Sequence, residues 1–248
     1  MLKGQPCKLK HIYIDKLCEI YRASPEIKEN LKTLATEAES AKGWWHSLGN
    51  TESMSQLSTY IALEGAATAL SIYQNARIPG LLQTADYARA LLSTSPDLTA
   101  EEVERHVEVR LSRQAASSAA RPRLDVILDE SVIRRPISDP SSATGQIRRI
   151  ISASRLPDVH IRLVPFDNGL HPGIEAGPFI ILEFDAPRDI GPEPPVVYVE
   201  SGVGSALYFE KEDQVARYRR YWAGIERAAL SATKTRAYLS KVVKELPR

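Results

Sequence analysis

Apolar side chains recur along this chain in two periods, near 3.6 and near 2, and the switches between them mark out its elements. From Lys8 to Arg22, residues Ile12, Ile14, Leu17, Cys18, Ile20 and Tyr21 fall on a helical face. Ser24-Pro25-Glu26 opens a second helix, with serine as the cap and proline in the first turn. Ile27, Leu31, Leu34, Ala35 and Ala38 make its stripe. A polar, turn-rich connector follows over residues 43–54 and begins Gly43-Trp44-Trp45. Two adjacent tryptophans cannot both face one core from a helix. One of them packs where the N-terminal helices meet the rest, or Trp45 offers an aromatic shelf to a ligand or partner. Ser55 to Ala69 then gives a helix whose Ala66 and Ala67 permit close packing. Glu64 within it is a carboxylate either buried or exposed. Leu70-Ser71-Ile72-Tyr73-Gln74 alternates as a first short strand.

The densest punctuation lies between Arg77 and Arg135. Arg77-Ile78-Pro79-Gly80 is a turn, because Pro79 fixes φ and Gly80 tolerates a positive one. Leu81, Leu82, Tyr87 and Leu91 give the next helix its apolar side, with Thr84 or Asp86 as cap. Thr99 and Glu102 form a capping box that starts a longer helix. On that helix Arg110, Arg113 and Gln114 stand three and four residues apart and share one surface. Arg123 to Asp129 is a strand, and Glu130 sits where it ends.

Beyond it, Pro140 to Arg155 is a helix led by Asp139 or Ser141. Pro157-Asp158 turns the chain into the strand Val159–Val164, a step that returns it to the sheet holding 124–129. Residues 167–177 form a Gly-rich loop in which His171 is expected to be exposed, with no Ser, Cys or Asp at a triad spacing. Phe179–Phe184 and Val196–Glu200 pair as antiparallel strands across a proline-rich loop, and Ala206–Phe209 adds one more. Two helices, Lys211–Leu230 and Thr233–Leu246, end the chain. The expected fold is α+β: a small mixed or antiparallel sheet covered by helices over residues 55–248, preceded by a partial all-helical module over residues 1–42.

Composition changes this picture little, and charge somewhat more. At 43% hydrophobic and 25% charged, the 248 residues are ordinary for a globular protein. No apolar run approaches the ~20 residues of a membrane span. Cys7 and Cys18 fit reduced thiols of a cytoplasmic protein. Net charge is +1. It divides into an acidic middle, in which every basic residue is Arg, and basic ends that hold every Lys. Phosphate-backbone contacts therefore belong to the ends, with Lys3, Lys8 and Lys10 as candidates and solvated lysines as the alternative. The Arg217, Arg219, Arg220 and Arg227 face of the C-terminal helices is a further basic surface, for an acidic partner or for solvent. No metal-ligand spacing, phosphate loop, nucleophile motif or cofactor fingerprint occurs, so no catalytic residue, metal or cofactor is expected.

Seven motifs in order carry a family likeness. They are Trp44-Trp45, LE-x-A-A from Leu63, IPGLLQTADYARALL from Ile78, R-x-x-R-Q from Arg110, LDE-x-x-I-R-R from Leu128, VPF from Val164 and VVYVE from Val196. Together they resemble the C-terminal domain of actinobacterial Xre-type helix-turn-helix regulators, the WhiJ-like group. The resemblance spans about residues 12–243. It implies a DNA-binding transcription regulator, a homodimer, and a small companion protein encoded nearby as partner. It supplies no catalytic residues. Residues 1–42 resemble the last two helices of the DNA-binding module, and the base-reading recognition helix is not in this sequence.

The expected polar centre of the body is Gln83, Arg110, Arg113, Gln114 and Glu130. The two arginines make forked bonds to Glu130 and Glu200, or to an acidic ligand or partner. The first function this supports is a regulator whose body receives a companion protein or a small-molecule signal. Two others stand beside it: a nucleotide-dependent transferase or toxin-like enzyme built on the same cluster, and an interaction protein that sequesters the companion.

Overall fold

Strand Ala69–Gln74 (β1) is the axis on which the sheet turns. On one side it runs parallel to Arg123–Asp129 (β2), with Ile72 opposite Val126, and β2 runs parallel to Val159–Val164 (β3). On the other side it runs antiparallel to Phe179–Glu183 (β4), with Ile72 opposite Ile180. Val196–Gly202 (β5) and Ser205–Phe209 (β6) continue the antiparallel half, giving the order β3-β2-β1-β4-β5-β6. The expected α+β class with a mixed sheet is what forms. These coordinates are a computed structural model, which describes residues 11–21, 24–25, 27–29, 31–32, 52–120, 122–137, 139–185, 193–202 and 205–246.

The chain divides into two compact units, Met1–Asn50 and Thr51–Arg248. In the first, helix His11–Ile20 (α1) buries Ile14 and Cys18, and Asp15 takes ion pairs from Lys28 and Lys32, both at 2.9 Å. Lys3, Lys8, Lys10, Cys7, Trp44 and Trp45 lie outside the described residues.

In the second unit the central strands are apolar on both faces, as strands buried on both sides must be. Leu70, Ile72, Val126, Leu128, Ile161 and Ile180 face one way. Over them lie Glu52–Ala66 (α2), Ala85–Leu92 (α3), Pro140–Ala153 (α6) and Ala232–Glu245 (α9), through Tyr60, Tyr87, Ile150 and Leu239 among others. Tyr73, Ile127, Phe179 and Val197 face the other way, against Val215 and Ile225 of Glu212–Ala228 (α8). Helix Ala100–Ala120 (α4) joins α3 to β2, and the short Glu130–Arg134 (α5) follows β2 directly. Among the described residues no helix is long and apolar enough to cross a membrane.

The local signals place most boundaries. Thr99 and Glu102 exchange backbone bonds of 2.8 and 3.3 Å, and Asp139 caps α6 through Ser141 and Ser142. Three expectations need correcting. The helix expected from Leu81 to Leu91 is split: a 3-10 turn, Gly80–Leu82, ends at an extended Gln83, and α3 starts only after Thr84, whose hydroxyl caps Tyr87 N. The loop 167–177 is structured as well. It holds a 3-10 turn, Phe166–Asn168, and a short helix, Pro172–Ala176 (α7), set off by Gly169 and Gly177 at φ 70° and 65°. His171 is buried, at 8% exposure, because it caps α7. Its Nδ1 accepts from Gly173 N at 3.2 Å, so Nε2 carries the proton and bonds Asp129 at 3.2 Å. With both ring nitrogens used, it is a structural histidine.

Candidate functional site

The C-terminal ends of β1, β2, β3 and β5 share one edge of the sheet, and β4 begins there. Open α/β sheets take ligands at that edge, where the chain departs to opposite sides. At β1 the strand order changes direction: parallel strands lie to one side and antiparallel strands to the other, and β4 enters the sheet at this end. A cavity of about 310 Å³ opens at this point. Ile72, Gln74, Ile180 and Tyr198 form its floor, the turn after β1 forms a wall, and α2 and α4 supply its charged roof.

The roof is built around a buried ion pair. Arg113 grips Glu64 with two prongs, Nε to Oε1 at 2.8 Å and a terminal nitrogen to Oε2 at 3.1 Å. Tyr60, one turn before Glu64 on α2, donates its hydroxyl to Oε2 at 2.6 Å. Its ring lies under the Arg113 guanidinium at 5.3 Å and beside Tyr198, with ring centres 4.4 Å apart. Burial, then the Glu64 carboxylate, push the Tyr60 hydroxyl well above its usual range. Burial opposes the charge on Arg113, but Glu64 and Tyr60 outweigh it and hold the guanidinium protonated. Gly80 makes room for this pair, since a Cβ there would sit 3.1 Å from an Arg113 nitrogen.

Helical spacing lets α4 hold the turn at several points. Gln114 donates 2.8 Å bonds to the carbonyls of Gly80 and Gln83. Arg110 donates to Gln83 Oε1 at 2.6 Å, and Gln83 Nε2 passes the contact on to Ile78 O at 2.6 Å. Ile78 N in turn donates to the Tyr87 hydroxyl at 3.1 Å. The turn is thus fixed by side chains from α3, α4 and its own Gln83.

Arg110 is the exception in this network. Unlike Arg113, it has no carboxylate in ion-pair contact among the described residues; its contact is a neutral amide. Burial, with Arg113 and Arg77 nearby, pulls its guanidinium down to about 10, against a weaker pull from Glu200. Glu200 itself pairs with Arg77, and both side chains are about 40% exposed at the mouth.

Of the residues expected to form a polar centre, Gln83, Arg110 and Arg113 line the cavity and Gln114 buttresses its wall; Glu200, expected as a partner of the arginines, lines it too. Glu130 does not join them. Its Oε2 accepts from Phe166 N at 2.8 Å, and its Oε1 accepts from Tyr238 and Arg134, so it ties the ends of β2 and β3 to α9. The reason is that α5 starts at Glu130 itself and carries the side chain toward β3. The expected partners of the arginines are therefore corrected: Glu64 takes Arg113, Glu200 takes Arg77, and Glu130 takes Arg134. Trp45 lies outside the described residues. Sequence reasoning missed Tyr60, Gln74, Arg77 and Tyr198. The four-residue spacing of Tyr60 and Glu64, one helical turn apart, was the available signal.

The family described as Domain of unknown function (DUF5753) matches residues 57–241, a stretch that contains every residue lining this cavity. No curated protein and no solved structure matches the chain.

Proposed function

We propose that this chain, which belongs to the DUF5753 family, is a transcription regulator of the Xre type whose 51–248 body receives a small-molecule signal at the end of β1. The regulator part rests on the ordered sequence motifs. The small-molecule part rests on one observation: a half-buried cation, Arg110, lines a formed cavity without an anion to match it. Cations in low-dielectric surroundings are expensive unless paired, and where the protein supplies no carboxylate, an anionic ligand in the cavity can take that place. The carboxylates argue for binding rather than catalysis. Glu64, Glu130 and Glu200 are each held by an arginine, so none stands free as a base. DNA and the companion protein are, in this reading, the recipients of the signal.

Recovery of the tagged chain from its native host under mild conditions, followed by native mass spectrometry, tests the proposal. A stoichiometric small-molecule mass is expected. A chain that carries a small protein but no small molecule would replace the ligand reading with partner binding alone, and a bare chain would refute the ligand reading.

A further inference from the structure

We infer that the ligand of this cavity is a monocarboxylate bearing a compact aromatic or branched apolar group, its carboxylate set against Arg110 and its apolar end toward Tyr198. This rests on the small-molecule reading above and specifies the chemistry of the same site.

Charge balance is the first argument. Among the described residues, three guanidiniums and two carboxylates line the cavity: Arg77, Arg110 and Arg113 against Glu64 and Glu200. Two of the three cations are already matched, Arg113 by Glu64 and Arg77 by Glu200. One positive charge is left over, and it sits on Arg110. A single negative charge neutralises the site. A neutral ligand leaves the excess in place, and a dianion reverses it unless Arg77 releases Glu200.

Donor geometry is the second. Arg110 spends one terminal nitrogen on Gln83 and keeps the rest of a planar fork that suits a carboxylate. Gln74, at the end of β1, also lines the cavity, and among the described residues its amide has no hydrogen-bond partner. An amide N–H and a guanidinium together can serve both oxygens of one carboxylate.

The remaining lining sets the other end. Ile72, Pro79, Leu81, Phe179, Ile180 and Tyr198 present carbon to the cavity. Its volume, about 310 Å³, lies at the small end for ligand pockets, which run roughly from 300 to 1,000 Å³. A compact apolar group fits, and the single excess positive charge disfavours a nucleotide, whose phosphate monoester brings close to two negative charges.

The test is calorimetric titration of the full chain with phenylacetate, phenylacetamide and phenyl phosphate in the millimolar range, on the wild type, Arg110→Gln and Gln74→Leu. Phenylacetate should bind, phenylacetamide should bind at least about tenfold more weakly, and Arg110→Gln should cost roughly 10–100-fold in phenylacetate affinity, the worth of a charge-assisted bond. Because Arg110→Gln removes an unmatched charge, the variant should stay folded, and circular dichroism checks this. Equal binding of acid and amide, preference for phenyl phosphate, or an unchanged affinity in Arg110→Gln overturns the carboxylate assignment. No binding of phenylacetate overturns it too. If the chain from its host still carries some other small molecule, only the chemistry is wrong; if that chain is bare, the small-molecule reading falls with it.

Discussion

Replacing Glu64 by Gln should cost this protein a large part of its stability, and the size follows from what Arg113 would be left with. Glu64 is 4% exposed, and the Arg113 side chain is 11% exposed. The carboxylate accepts three bonds, two from Arg113 and one from Tyr60. Glutamine keeps the shape and removes the charge, so a guanidinium remains buried without its counterion. Breaking one side of a buried pair costs about 3–5 kcal/mol. With a urea slope of about 3 kcal/mol/M for a domain of this size, the midpoint should fall by roughly 1–1.7 M. The double change Glu64→Leu with Arg113→Met removes both charges and fills the space with carbon, and should cost far less than the sum of the single changes. Urea unfolding followed by circular dichroism and tryptophan fluorescence reads all four corners of the cycle. A fall of under about 0.3 M for Glu64→Gln, or strict additivity in the double variant, would refute the claim that this pair is desolvated and coupled.

Gly173→Ala should lower stability by about 1–3 kcal/mol, because its Cβ would lie 2.4 Å from the Tyr73 ring; an unchanged melting temperature would mean that α7 does not press on Tyr73. Gln146 is 1% exposed, accepts from Thr84 N at 2.7 Å and donates to Leu82 O at 2.8 Å. Gln146→Leu orphans both backbone groups, at roughly 2–4 kcal/mol in urea unfolding and with faster amide exchange at Thr84. Burial, then Arg110, hold His106 below its usual 6.5, so the unfolded chain takes up that proton at higher pH than the folded one. Its share of stability is complete above about pH 6.5 and is lost as pH falls through the folded value. His106→Gln should therefore lose less stability than wild type between about pH 7.5 and 5.5, and equal losses would contradict the assignment. Carboxylate binding should hold steady through neutral pH, because Arg110 keeps its proton there even though burial pulls its guanidinium down, and a bound carboxylate favours the charged form further.

What could be read from the sequence was what neighbours along the chain decide. The Thr99–Glu102 box, the Asp139 cap and the cluster of Arg110, Arg113 and Gln114 all involve residues within four positions of one another. Apolar runs bounded by turn residues located the strands, although not their order across the sheet. The partners across the fold were not legible. Arg113 finds Glu64 forty-nine positions earlier, and His171 finds Asp129 forty-two earlier. Nothing in periodicity ranks Glu64 above Glu130 or Glu200 as a partner. That choice depends on α2 and α4 roofing the same end of β1, whereas α5 turns Glu130 toward β3. Local pattern likewise joined Leu81–Leu82 to the following helix, although the Gln83–Ile78 bond and the Thr84 cap separate them.

The most direct measurement is a crystal structure of the full chain as recovered from its native host, without added ligand. The account predicts continuous density for a small molecule in the cavity at the end of β1, one end against Arg110 and Gln74 and the other toward Tyr198 and Phe179. A cavity holding only ordered water, with Arg110 still bonded to Gln83 alone, would contradict it.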